Sequence, residues 1–379
     1  MNKVIVIGGN HHNTYGVLRA LGVKKVSSFL LLISDNHDSF LLKSKYIADS
    51  KLVTHEDEAI NFLIMNKNNF IGSVIIACSD GISSALDLNY NSLSDFYKLP
   101  GAPEEGKITA VMHKEAMSNL GREVGFDVPK SWIVKSIDDI HNVEYPCITK
   151  PILSKDGHKT DIAICLNKKE LEELIKNGSC YCYQVQKFID KEFEYQLIGL
   201  SIDGGREIII PGYSKCIRPC PGTNTGFLHY KSLDESSMPI SKCKYFVQRT
   251  KYSGLFSIEF LRDKKGVDYF MEMNFRNDGN AICVTASGTN LPYIWYLANI
   301  GENYKNELEK STFRSVYAMP EFPDFENFVY TKKIRLLSWL KDVFRTNVFM
   351  VFNFKDMHPF IYIINKRIKI IIKKYIHCK

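Results

Sequence analysis

The sequence predicts an α/β chain that opens on a doubly wound parallel sheet, continues as an α+β segment and ends in a basic helical extension. Strand–loop–helix units repeat through the first hundred or so residues. Short strands alternate with turns over 131–300, and positive charge gathers at the C-terminus. The 379 residues allow two or three domains at roughly 100–200 residues each. With 45% hydrophobic and 24% charged residues, disordered and fibrous classes are excluded.

Taken in order, residues 4–7 form a short apolar run of the kind a buried parallel strand needs. Gly8, Gly9, Asn10, His11, His12 and Asn13 follow as a loop, and a helical pattern covers 14–21. A second strand is expected over 28–33. A third, over 73–78, leads into Ser79, Asp80, Gly81 and another helix. Ligands of such sheets bind beyond the carboxyl ends of the strands. The loop GGNHHNTYG departs from the dinucleotide fingerprint GxGxxG, so a substrate-binding or structural loop is expected instead. Residues 99–103 are a breaker-rich linker. A helix is expected over 109–124, closed by Gly125 and Pro129, and another near 168–176.

Net charge is +7, but residues 332–379 hold twelve Lys/Arg against Asp342 and Asp356 alone, a local +10. The remainder, with 37 bases and 40 acids, is −3. Basic character belongs to the tail, which argues against a nucleic-acid partner for the body. The ten cysteines show no paired CxxC and no zinc-finger histidines, so reduced thiols are expected. No signal-peptide pattern opens the chain and no long uncharged apolar stretch occurs, so neither secretion nor a spanning helix is expected.

The segment 254–276 reads as a hairpin turning at Lys265-Gly266. A turn centred there sets Glu259 opposite Glu272, roughly 4.5–5.5 Å away. Glu272, Asn274 and Arg276 alternate and should share one face. Facing carboxylates destabilise a sheet unless something neutralises them, and Glu259, Glu272 and Asn274 offer the oxygen donors a magnesium ion takes alongside phosphates. Arg276 could hold a phosphate or a developing oxyanion. Lys114, in the helix after the linker, and Lys150, at a strand end before Pro151, could neutralise phosphate charge. Arg218, before a glycine-containing loop, suits a carboxylate or an acyl phosphate.

Together these stretches resemble an ATP-grasp ligase, specifically the carboxylate–amine ligases akin to D-aspartate ligase. The resemblance spans about residues 1–305 and is carried by MHKEAMSNLGREVGFDVPKSW around Lys114, PCITKP around Lys150, YQVQKFID at 183–190 and YFMEMNFRNDGN at 269–280. It implies an N-terminal Rossmann-like pre-ATP-grasp domain (1–104), an ATP-grasp domain (105–305, in lobes 105–185 and 186–305) and an extension (306–379). Lys114 and Lys150 would contact ATP phosphates, the backbone of Gln186, Lys187 and Phe188 would face adenine, and Glu194 would accept from the ribose hydroxyls. Glu259, Glu272 and Asn274 would hold magnesium. A loop over 154–159, with Lys155 and His158, would close on the phosphates; it is poorer in glycine than many family loops. Lys187 also departs from the family pattern, where many relatives carry an acid. Asn277, Asp278, Gly279 and Asn280 could line an acceptor pocket, with His11 and His12 near it if the domains pack as the resemblance implies.

The implied chemistry is ADP-forming ligation. A carboxylate attacks the γ-phosphate, and an amine then displaces phosphate from the acyl phosphate. An amino acid or a cell-envelope precursor is the expected substrate class. An ATP-grasp kinase or carboxylase, or a non-catalytic membrane-peripheral nucleotide-binding protein, are the alternatives. ATP and magnesium are the expected cofactors, and small-molecule carboxylate and amine the expected partners, with a second copy of the chain as a candidate.

In the tail, Ile368, Ile371, Ile372, Tyr375 and Ile376 fall within an arc of about 140° at 100° per residue. Lys366, Arg367, Lys369, Lys373 and Lys374 take the other side, and Ile370 is the exception. Such a helix suits an anionic membrane surface, which would make a cytoplasmic chain peripheral on the inner face of the cell membrane.

Overall fold

The computed structural model describes residues 4–151, 162–178, 182–221, 223 and 225–377. Its first sheet is parallel, in the order β3-β2-β1-β4-β5, built from β1 (Val4–Gly9), β2 (Ser28–Ile33), β3 (Ile47–Val53), β4 (Ser73–Ala77) and β5 (Tyr97–Lys98). Odd positions Ile5, Ile7, Phe29, Leu31 and Ile75 share a core with residues of helices Glu56–Met65 and Asp80–Asp87. Even positions Val4, Val6, Leu30, Leu32, Val74 and Ile76 enter a second core with Ile198, Leu228 and Leu255. With both faces covered, these strands read as unbroken apolar runs.

A smaller antiparallel sheet, β6-β9-β7-β8, follows: β6 (Ser131–Val134), β7 (Cys147–Pro151), β8 (Ile164–Cys165) and β9 (Tyr183–Lys187). Leu171 of helix Lys168–Asn177 packs with Val134, Cys147 and Val185. The largest sheet contains β10 (Lys191–Ile202), β11 (Glu207–Ile209), β12 (Tyr213–Pro219), β13 (Gly226–Lys231), β14 (Gly254–Asp263), β15 (Asp268–Asn274), β16 (Val316–Met319) and β17 (Val348–Phe349). Its order is β15-β14-β10-β12-β13-β16-β17, with β11 on β10. An aromatic core lies beneath, where Phe126 stacks on Phe270 at 4.9 Å and Tyr195 on Phe260 at 5.2 Å.

Two expectations change. The single helix expected over 109–124 is two, Lys107–Met112 and Lys114–Val124, because His113 is extended (φ −60°, ψ 126°). Lys114 therefore starts a helix instead of lying inside one. Residues 306–379 also do more than extend the chain, since β16 pairs with β13 and β17 with β16. Buried acids fasten this region. Glu321 accepts from the backbone N–H groups of Met350, Val351 and Phe352 at 3.1, 3.2 and 2.6 Å. Asp356 accepts from Ser44 Oγ, Tyr15 Oη and the Lys45 N–H at 2.6, 3.1 and 3.2 Å.

The crevice beyond β1 and β4 is filled by protein. Asn13 Nδ2 donates to the carbonyls of Cys78 (2.9 Å) and Asn277 (2.8 Å), and the Asn277 N–H donates to Ala77 O (3.0 Å). The stretch that follows β15 thus plugs the position where a doubly wound sheet usually takes its ligand. No described helix is long and apolar enough to cross a membrane.

Candidate active site

The site is built on the β14–β15 hairpin. Gly266 takes the left-handed turn position (φ +84°) and its N–H donates to Asp263 O at 3.0 Å. Near the turn, Arg262 pairs with Asp268, Leu261 with Tyr269 and Phe260 with Phe270. A bulge then leaves Met271 unpaired and shifts the register by one, so that Glu259 faces Glu272 and Ser257 faces Asn274. Without that bulge Glu259 would have faced a methionine. The expected pairing is present, but an inserted residue creates it.

A cleft of about 620 Å³ lies between the two antiparallel sheets, over this hairpin. Lys114, Lys150, Gln186, Lys187, Phe188, Glu194, Glu259, Glu272 and Asn274 all line it. Lys155 and His158 lie outside the described residues. Gln196 Nε2 and Asn274 Nδ2 donate to Glu259 Oε1 at 3.1 and 3.0 Å. Burial first, then the Glu272 and Asp278 carboxylates, push the Glu259 carboxyl up to about 8. Lys150 sits opposite. Burial lowers its ammonium pKa and Lys114 lowers it further, while Glu272, Glu259 and Glu194 pull it back up. Two acids and two lysines therefore share one poorly hydrated space.

Among the described residues no three His, Cys, Asp or Glu side chains converge as a metal cage. Two facing carboxylates and an amide do converge, a set that fits a magnesium ion completing its shell with phosphate oxygens. A cation would also relieve the pressure that keeps Glu259 protonated. Asn274 presents its amide nitrogen to Glu259 and its oxygen to Arg276 Nη2 (3.2 Å), so ligation by Asn274 requires the amide to turn over.

At the expected adenine edge, the N–H of Lys187 donates to Lys130 O and that of Phe188 to Pro146 O, both at 2.9 Å. The next N–H, of Ile189, has no partner among the described residues and lines the cleft. A purine edge placed here would therefore find the Ile189 N–H without a protein partner. The side chain of Lys187 pairs with Glu144 at 2.9 Å, and Glu194 pairs with Lys191.

The arginines part company. Arg276 stands behind two residues that line the cleft, Asp80 and Asn274, with its Nε on Asp80 Oδ1 (3.0 Å), its Nη2 on Asn274 Oδ1 (3.2 Å) and its Nη1 on Asn277 O (3.2 Å). Burial opposes its charge, but Asp80 and Asp278 more than offset that and raise its pKa. Arg218 does not line the cleft. Its Nε and Nη2 grip Asp324 at 3.0 and 2.8 Å, its Nη1 takes Asp342 at 2.7 Å, and Asp324 is fully buried. The carboxylate expected for Arg218 is thus supplied by the protein's own C-terminal region. That corrects the expectation that it meets substrate.

The His11 and His12 rings lie 3.8 Å apart, tilted by 38°, and His12 Nε2 would lie 3.3 Å from a Cβ added at Gly279. Burial, then His11, lowers His12 to about 3, so it stays neutral and is a poor proton carrier. Asp278 and Asn280 sit behind the cleft, with Asp278 Oδ2 accepting from Ser257 Oγ (2.9 Å) and Asn280 Nδ2 donating to Gln196 Oε1 (2.7 Å). Sequence reading missed Asp80, Ile148, Ile189, Leu261 and Met271, which also line the cleft.

No family model matches the chain. Solved structures do. An L-amino acid ligase from Bacillus licheniformis superposes with a TM-score of 0.63 at 17% identity, over 83% of this chain and 78% of that one. The biotin carboxylase domain of a Hydrogenobacter thermophilus 2-oxoglutarate carboxylase, solved with MgADP and bicarbonate, gives 0.64 at 15%, over 84% and 73%. An N5-carboxyaminoimidazole ribonucleotide synthetase in complex with ADP gives 0.62 at 14%, over 83% and 81%. The shared architecture is the ATP-grasp fold.

Proposed function

We propose that this chain is an ATP- and magnesium-dependent carboxylate–amine ligase that works through an acyl phosphate. The observation that carries the reading is the cleft itself, where Glu259 and Glu272 face each other across a bulged hairpin beneath Lys114 and Lys150. The likeness to an amino acid ligase supports it at the level of fold.

In this reading Ile148, Leu261 and Met271 grip the purine, and the Ile189 N–H reads its edge. Glu194 leaves Lys191 to accept from the ribose. Lys114, at a helix start, and Lys150 neutralise the phosphates. Glu259, Glu272 and Asn274 would hold magnesium, which when bound offsets charge on the transferring phosphoryl group. Glu259 gives up its proton as it takes up that role. Arg276, held in place by Asp80, stabilises the oxyanion that forms when the amine adds to the acyl carbon. No side-chain nucleophile is needed, because the substrate carboxylate attacks phosphorus directly.

The substrates proposed are an amino acid or an amino-acid-bearing cell-envelope precursor and an amine. The proposed setting is the cytoplasm, at the inner face of the membrane. The likeness to a biotin carboxylase domain and to the carboxyaminoimidazole synthetase favours one second reading, a carboxylase passing through carboxyphosphate. The test is phosphate release with magnesium–ATP across a panel of amino acids and amines, with hydroxylamine as a trap. A ligase gives amine-dependent phosphate and a hydroxamate. Bicarbonate-dependent release without a hydroxamate would support the carboxylase, and nucleotide binding without turnover would contradict both.

A further inference from the structure

The C-terminal region carries a surface for which the ligase chemistry has no use. Helix Leu336–Arg345 is amphipathic, yet none of its residues is fully buried. Its inner side is pinned. Trp339 Nε1 donates to Asp324 at 2.8 Å, the Trp339 ring meets Phe325 edge-on at 5.1 Å, and Asp342 binds Arg218. Its outer side offers Leu337 and Phe344, 75% and 88% exposed and two helical turns apart on one face. Tyr330 and Phe354 nearby in the chain are equally bare.

The first half of the long helix His358–His377 is docked on the body. Phe360 packs on Phe322 and Phe352 at 5.4 and 5.1 Å, and Arg367 pairs with Glu326 and lies over the Phe322 ring at 4.5 Å. Ile368, Ile370, Ile371 and Ile372 are each about half exposed, so Ile370, the odd residue of the expected stripe, is as open as the others. Both helices flank one π-helical turn, Phe325–Tyr330, through Trp339 on Phe325 and Arg367 on Glu326. Large apolar side chains left bare in one region mark an interaction surface.

Charge identifies what covers it. The two acids of 332–379 both point inward: Asp342 into the Arg218 pair, Asp356 into its buried cradle. Lys332, Lys333, Arg335, Lys341, Arg345 and Lys369 pair with no carboxylate among the described residues. The outer face is therefore apolar and cationic, with its acids withdrawn. A second copy of the chain would set this positive face against itself. An anionic bilayer meets both needs, with acyl chains for the leucines, isoleucines and Phe344 and acidic headgroups for the cations.

We propose that helices Leu336–Arg345 and His358–His377 form an interfacial platform that seats the protein on an anionic lipid bilayer. This deepens the peripheral placement offered above, but it does not depend on the ligase chemistry, and binding and turnover are read separately. The test is flotation of the full chain with phosphatidylcholine vesicles, with and without phosphatidylserine, at low and high salt. Binding should require phosphatidylserine and fall with salt. Each basic residue at such a surface is worth about fivefold in partitioning, so the triple variant Lys332→Gln, Lys333→Gln, Lys341→Gln should bind about 100-fold more weakly. The pair Leu337→Ser, Phe344→Ser should bind at least about tenfold more weakly. Both variants should keep the wild-type melting temperature and nucleotide turnover, because the altered side chains are exposed. Equal binding to neutral vesicles, or no loss in either variant, would overturn the proposal. So would a lipid-free dimer, seen by light scattering, that Leu337→Ser, Phe344→Ser dissolves.

Discussion

Replacing Glu259 by Gln removes one charge from the facing carboxylates and leaves the shape nearly unchanged. The amide oxygen can still accept from Gln196 Nε2 and Asn274 Nδ2. In the wild type, burial and then Glu272 and Asp278 lift the Glu259 carboxyl from its usual 4.5 to about 8. Native protein then binds this proton more tightly than unfolded protein does. Stability is therefore full below about pH 4.5 and is lost as pH rises through about 8. A difference of about 3.5 pH units at about 1.36 kcal/mol each sets a ceiling near 5 kcal/mol on that loss. Urea unfolding of nucleotide-free protein at about pH 5 and about pH 9 reads it directly. Wild type should lose several kcal/mol relative to Glu259→Gln over that interval, leaving the variant the more stable protein at the alkaline end. Magnesium–nucleotide should erase much of the difference by stabilising the ionised wild type. Parallel pH dependences for the two proteins would refute the premise that Glu259 is a buried acid pressed against another.

Other outcomes follow from the same cleft. Glu272→Gln should keep the wild-type melting temperature yet reduce ADP release at least about 100-fold, measured by coupled assay. Arg218→Ala should cost about 3–5 kcal/mol in denaturant unfolding, because it strands the buried Asp324, while turnover per folded molecule holds. A stable but inactive Arg218→Ala would return that arginine to the substrate. Asp80→Asn should lower kcat about tenfold with little change in KM for ATP, since it loosens Arg276 and keeps the size of the side chain that lines the cleft. Met271→Trp should weaken nucleotide binding at least about tenfold by filling the purine slot, as read by calorimetry.

The parts of this architecture that were legible in the sequence are those set by local pattern. Apolar runs at 4–7, 28–33 and 73–78 announced three strands buried on both faces, whereas the polar β3 and the two-residue β5 carry no such run and were not read. The facing of Glu259 and Glu272 was also legible, but only because an assumed turn centre and an unforeseen bulge at Met271 compensate. Bulges insert a residue without any composition signal, so a one-residue error in register is the natural failure of hairpin reading. The helix break at His113 was missed because nothing in that stretch is a strong breaker; tertiary packing sets it. Arg218 was misread for a different reason. Its partners Asp324 and Asp342 lie more than a hundred residues on, and a long-range ion pair leaves no trace in local spacing. Likewise, loop residues such as Ile189 matter through a backbone N–H, which no side-chain pattern reports.

In the proposed function Glu259, Glu272 and Asn274 cage a divalent ion beside a triphosphate held by Lys114 and Lys150. Manganese in place of magnesium makes this directly readable by electron paramagnetic resonance, with a non-hydrolysable ATP analogue and no need to know the substrates. Wild type should immobilise manganese only with the analogue present, and Glu259→Gln and Glu272→Gln should each weaken that binding at least about tenfold. Undiminished manganese binding in both variants would contradict the site as drawn.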